Sequence, residues 1–219
     1  MVCRDPSVFG EYLILRVDFS EVYFFTKVIG GMGCTFTHIT RNLPHKMNIA
    51  KVFQLNCHKA EDATGISVGK HPDSIYLIQE TYYTTTGKPG VRKKSNYFAK
   101  AKSRAGIYTS ALQSCKFVPM YDFICDDIAT GTIEGGSLSE PLIICSVYLD
   151  IEKPTILPKF RELVEFCKTN NRKLVCGIDC NAHSSLWGSP DTNSRGEVQE
   201  EFIFEYGLYV ENVGTTPTW

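Results

Sequence analysis

The feature that most constrains this chain is a set of short apolar runs that end on polar residues of similar chemistry. Val52-Phe53-Gln54-Leu55 runs into Asn56, and Ile75-Tyr76-Leu77-Ile78-Gln79 into Glu80. Ile143-Ile144-Cys145-Ser146-Val147 runs into Tyr148, and Leu174-Val175-Cys176-Gly177-Ile178 into Asp179, with Asn181 two residues on. Runs of this length, rich in β-branched residues, predict buried strands. Strands laid side by side bring their ends to one edge, where open sheets build sites. At any single end, a polar residue can simply mark where the chain reaches water. Matching chemistry at all of them favours a shared site, and composition alone leaves the two readings balanced.

Further strands are expected over 106–110 and 116–123. Helical periodicity runs through Pro158–Thr169, with Phe160, Leu163, Val164 and Cys167 on one face, and through 196–206, with Val198, Phe202 and Ile203 inward. Strands and helices mix without regular alternation, which predicts α+β or a sheet-on-sheet core flanked by helices. The first 46 residues read as a separate segment with no assignable role. Within them 12–17 and 21–29 are strand-like, and Gly30-Gly31-Met32-Gly33 breaks the pattern. The main domain is expected over 47–219.

Several function classes are disfavoured. No stretch approaches the ~18 uninterrupted apolar residues of a membrane helix, and Arg4, Asp5, Glu11 and Arg16 interrupt any signal-like region. The expectation is an intracellular protein, neither secreted nor membrane-bound. Nine cysteines, mostly inside apolar runs, read as buried free thiols, and the Cys176–Cys180 spacing does not match a zinc knuckle. The net charge of −1 excludes a uniformly basic nucleic-acid binder. Any such grip must come from a local patch. The stretch 88–104 offers one: Lys88, Arg92, Lys93, Lys94, Lys100, Lys102 and Arg104, no acids, and Tyr97 and Phe98 between them. Cations of this kind neutralise phosphates, and nearby aromatics can stack on bases, although a solvated loop is the plain alternative.

The string Gly177-Ile178-Asp179-Cys180-Asn181-Ala182-His183, continuing Leu186-Trp187-Gly188-Ser189, resembles the signature of the endonuclease/exonuclease/phosphatase superfamily. More narrowly, it resembles the apurinic-endonuclease-like domain of non-LTR retrotransposon polyproteins. Gln54-Leu55-Asn56, Ile78-Gln79-Glu80, Arg104-Ala105-Gly106-Ile107-Tyr108 and Ser146-Val147-Tyr148 resemble further blocks of that family, in order. The resemblance implies a DNase I-like four-layer α/β sandwich, two packed mixed sheets flanked by helices, in a metal-dependent endonuclease that nicks target DNA. It implies Mg²⁺, with Mn²⁺ as a substitute, held by Glu80 with help from Asn56. Asp179 would orient or deprotonate the attacking water, and Asn181 and Tyr148 would donate to the phosphate. His183 would order its loop or approach the DNA, and Trp187 reads as a packing anchor. The implied partners are double-stranded DNA and a reverse transcriptase domain in cis, with nuclear access following from the substrate.

The family pattern continues beyond Thr216-Pro217-Thr218-Trp219 with a Ser-x-Ile-Asp strand and a Ser-Asp-His block that supplies its catalytic histidine. Neither occurs in these 219 residues. The expectation is therefore a C-terminally incomplete domain, weakly active or inactive, with an unpaired strand edge. The competing readings are a non-catalytic nucleic-acid-binding remnant, a superfamily branch acting on phospholipid headgroups or nucleotides, and a non-functional reading frame.

Overall fold

In a computed structural model the apolar runs become strands of two sheets packed face to face. It describes residues 12–17, 24–28, 35–39, 51–61, 64, 74–91, 96–110, 112, 115–136 and 138–211. The strands are β1 (Tyr12–Val17), β2 (Phe24–Val28), β3 (Thr35–Ile39), β4 (Lys51–Asn56), β5 (Ser74–Gln79), β6 (Tyr97–Phe98) and β7 (Ala105–Thr109). They continue as β8 (Cys115–Pro119), β9 (Ile128–Gly135), β10 (Leu142–Tyr148), β11 (Leu174–Asp179) and β12 (Tyr209–Val210). The larger sheet has the order β12-β1-β11-β10-β9-β8, the smaller β4-β5-β7-β6, and β2 and β3 pair separately. Parallel pairing of β10 with β11 and of β4 with β5 amid antiparallel neighbours makes both sheets mixed.

Both faces of the central strands are buried, so their sequences read as nearly continuous apolar runs. Between the sheets, Val52, Ile75, Leu77 and Ile107 meet Ala129, Ile133, Leu142, Ile144 and Val175. On the far side of the larger sheet, Ile143, Cys145, Val147 and Cys176 pack under two helices. These are α1 (Pro158–Thr169) and α2 (Ser194–Glu205). Pro158 opens α1, where its missing N–H costs nothing, and Phe160, Leu163, Val164 and Cys167 form its buried stripe as expected. Phe53, Leu55, Tyr76, Ile78 and Tyr108 cover the outer face of the smaller sheet. The α+β class and the two-sheet sandwich are as expected. Among the described residues, both helices pack on the larger sheet.

Within the segment 1–46, β1 joins the larger sheet: it pairs antiparallel with β11 from Tyr12↔Asp179 to Val17↔Leu174, and Leu15 is buried in the core beneath the helices. β1 thus lies along the edge of β11, and β12 pairs on the other side of β1. One expectation is corrected: in α2 the inward stripe is Gly196, Gln199, Phe202 and Ile203, whereas Val198 is exposed. The helix starts at the Asn193 cap, whose side chain accepts from Gly196 N, and that phase turns Val198 outward. The 216–219 tetrapeptide lies outside the described residues.

Candidate active site

Parallel pairing sets the site. In the larger sheet Tyr148 and Asp179 are register partners at the ends of β10 and β11. In the smaller sheet Asn56 lies beside Gln79, so Glu80 comes next to it. The sheets then face each other closely enough for Asn56 Nδ2 to donate to Asp179 Oδ2 at 2.5 Å. The same amide gives Glu80 a further hydrogen bond, and Asn56 Oδ1 accepts from His58 N at 2.7 Å. Asn56 therefore sits between two carboxylates, one from each sheet.

Buried glutamines brace this edge from behind. Gln54 Nε2 donates to Ile178 O (3.0 Å), and Gln79 Nε2 to Ser146 Oγ (2.9 Å) and Gly177 O (3.0 Å). Gly177 sits where the sheets approach: a Cβ there would stand 2.9 Å from Leu77 Cδ1 and 3.2 Å from Gln54 Cδ, so both side chains would have to give.

Several site residues hold left-handed backbone, a conformation that β-carbons disfavour. They are Glu80 (φ 48°), Asn181 (φ 45°), His58 (φ 45°) and Lys59 (φ 55°). Such outliers persist only where surrounding structure over-determines them, and they cluster at functional sites. Here Glu80 is fixed by its N–H to Arg104 O (2.7 Å) and its carbonyl to Lys59 N (2.8 Å). Asn181 is fixed by Nδ2 donating to Leu149 O at 3.1 Å and by its N–H reaching Asp179 Oδ1 at 3.4 Å.

Electrostatics follow from the packing. The hydrogen bond from His58, then that from Asn56, holds the Glu80 carboxyl below the usual carboxylate range against the opposing effect of burial. Burial, then the nearby charges of Glu80 and Asp179, pushes the Tyr148 phenol up to about 12. At neutral pH the edge thus carries an ionised carboxylate beside a phenol that stays a donor.

His58 is the site residue that the sequence pattern does not single out. Its Nδ1 lies 3.4 Å from Glu80 Oε2, and Lys59 Nζ lies 3.9 Å from Oε1. The available signal was the polar string Asn56-Cys57-His58-Lys59 directly after a strand, which parallel pairing carries beside Glu80. His183 lies in the loop held against α2. Its Nδ1 meets Asp191 Oδ1 at 3.2 Å and its N–H donates to Asn193 Oδ1 at 3.3 Å. Trp187 is buried, with Nε1 donating to Ala182 O, the anchor expected of it.

The basic stretch divides. Lys88 and Lys102 are exposed and adjoin, with Lys102 Cε only 3.3 Å from where a Cβ on Gly87 would stand. Lys100 pairs with Asp126 at 2.8 Å. Arg104 turns inward, its Nε 2.6 Å from Asp127 Oδ1 and its Nη1 bonded to Asp150. Arg92, Lys93 and Lys94 lie outside the described residues.

No group of three or more His, Cys, Asp or Glu side chains able to hold a metal occurs among the described residues. The strand-end set instead offers carboxylate and amide oxygens, the donor type of Mg²⁺, which binds through one or two carboxylates and fills its remaining positions with water and substrate. These residues fit a hard cation better than zinc.

Fold and strand-end site together define the class, a DNase I-like α+β sandwich. A family model described as endonuclease-reverse transcriptase matches residues 142–219, the stretch that holds Tyr148, Asp179, Asn181 and His183. Among solved structures, the endonuclease domain of TRAS1, a telomere-specific non-LTR retrotransposon, matches with a TM-score of 0.57. That match covers 77% of this chain and 75% of the other at 22% identity. No curated protein matches the chain in sequence. The chain is similar to retrotransposon endonucleases in its C-terminal sequence and in its fold, as its motifs led one to expect.

Proposed function

We propose that this chain carries a metal-dependent endonuclease domain that nicks double-stranded DNA, within a polyprotein that also holds a reverse transcriptase. The observation that carries the reading is Asn56 held between the Glu80 and Asp179 carboxylates where two sheets end together. Glu80, with the Asn56 amide oxygen, would hold Mg²⁺ or Mn²⁺. The cation's chemistry is Lewis-acid neutralisation of charge on the phosphate oxygens. Asp179 orients the attacking water and accepts its proton, a task that needs hydrogen-bond reach to that water. Tyr148 donates its hydroxyl to the phosphate as charge develops, and Asn181 helps fix that end of the site.

Supercoiled plasmid with Mg²⁺ tests the reading, with EDTA and Glu80→Gln as controls. Nicking that EDTA abolishes and Glu80→Gln slows, with a higher Mg²⁺ requirement, is expected. Binding without metal-dependent nicking would favour a nucleic-acid-binding remnant.

Lys88 and Lys102 are proposed backbone contacts, with Lys100, Arg92, Lys93 and Lys94 along the same stretch. Removing both Lys88 and Lys102 should weaken binding at low salt. It should also reduce the slope of log affinity against log salt by about 2, at ~0.9 per phosphate contact. An unchanged slope in a filter-binding titration would remove them from the interface.

A further inference from the structure

We propose that Arg104 is a positioning residue that holds Tyr148 and Glu80 in one arrangement across the two sheets; the inference rests on the nuclease reading above. Arg104 immediately precedes β7 in the smaller sheet, and its carbonyl accepts the Glu80 N–H at 2.7 Å. Its guanidinium reaches the larger sheet, where Cζ lies 4.9 Å from the centroid of the Tyr148 ring. Tyr148 N–H in turn donates to Asp127 O at 2.9 Å, and Asp127 Oδ1 receives Arg104 Nε at 2.6 Å. Asp150, two residues past Tyr148, bonds Arg104 Nη1. Arg104 thus bonds the carboxylates of two aspartates, one whose carbonyl receives the Tyr148 N–H and one two residues past the tyrosine, and lies over the tyrosine ring.

The chemistry suits arginine. Its planar fork can meet two carboxylates while its face lies on an aromatic ring, which the point charge of lysine cannot do together. Lys153 Nζ also binds Asp127, at 2.7 Å, and the Asp127 side chain is only 4% exposed. A DNA-contacting role fits less well, because the guanidinium charge is already taken by Asp127 and Asp150. Burial opposes that charge, but the two hydrogen bonds outweigh it and hold the arginine's pKa above its ordinary value. What the arrangement delivers is a phenol fixed beside Asn181, Glu80 and Asp179.

The test labels tyrosine rings with ¹³C, assigns Tyr148 with Tyr148→Phe, and compares spectra of the whole chain. Arg104→Gln is expected to shift or broaden the Tyr148 ring signal while Tyr76 and Tyr108 keep theirs, and Arg104→Lys should give a smaller change. An unmoved Tyr148 signal, or movement of all the tyrosines together, would overturn the proposal. If Arg104→Gln does not fold, Arg104→Lys carries the same comparison. In nicking assays Arg104→Gln should lower kcat by about 10²-fold, the scale of an ångström's misplacement, with KM and salt slope unchanged. In the Tyr148→Phe background the same change should cost no more than about twofold. Additive losses, or a smaller salt slope, would overturn the positioning role. Absence of metal-dependent nicking in the unmodified chain would sink the function reading instead, and the spectra would still decide the placement of Tyr148.

Discussion

Replacing Asp179 with alanine is expected to lower metal-dependent nicking by about 10²–10⁴-fold, the usual contribution of a positioned general base. Asp179 is 2% exposed at the end of β11 and accepts from Asn56 Nδ2 at 2.5 Å. Alanine removes both the proposed proton acceptor and the carboxylate that accepts from Asn56. The orphaned amide should also cost on the order of 1–3 kcal/mol of stability. Asp179→Asn separates these effects: its oxygen can still accept from Asn56, so stability should fall less while activity stays low. Plasmid nicking and urea midpoints on both variants check this. A normal rate in either variant, with DNA binding intact, would remove Asp179 from the chemistry.

The second large effect is expected from Gly196→Ala, a change that would pass as mild in an ordinary helix. A Cβ at Gly196 would lie 1.8 Å from His183 O and 2.9 Å from His183 C. Both obstacles are backbone, so the helix or the loop must move. The two are tied together: Asn193 Oδ1 accepts from Gly196 N at 2.8 Å, and Asn193 N donates to His183 O at 3.1 Å. Overpacking of this kind costs about 3 kcal/mol at the upper end of its usual range. In a chain of this size that lowers Tm by roughly 6–12 °C. Nicking should fall as well, because the displaced loop begins at Asn181. An unchanged Tm in calorimetry would mean that α2 and the loop are not seated this closely.

The legible parts of this fold were those written locally. The polar ends of β4, β5, β10 and β11 carried the candidate site, because strands buried on both faces show as continuous apolar runs. The stripe of α1 was equally plain. β9 was missed because Thr130, Gly131 and Thr132 interrupt its apolar pattern. Two of them have a three-dimensional reason: a Cβ at Gly131 would meet Phe117 Cζ at 2.4 Å, and Thr130 Oγ1 donates to Ile144 O. The role of β1 was illegible because its partner, β11, lies far along the chain. Arg104 looked like one cation among seven, since nothing local shows that Asp127 and Asp150 fold back onto it. His58 was hidden in the same way, its neighbour Glu80 being brought alongside only by sheet pairing.

The insertion of β1 between β11 and β12 has a consequence for the order of assembly. Pairing so distant in sequence carries a high loop-closure cost and slows folding. At ~5–20 residues per second, synthesis delivers β11 on the order of ten seconds after β1. Throughout that wait an early strand, whose Leu15 ends up in the core, has no place to dock. The larger sheet can close only late, so the N-terminal strand is the part of the nascent chain most in need of chaperone shelter.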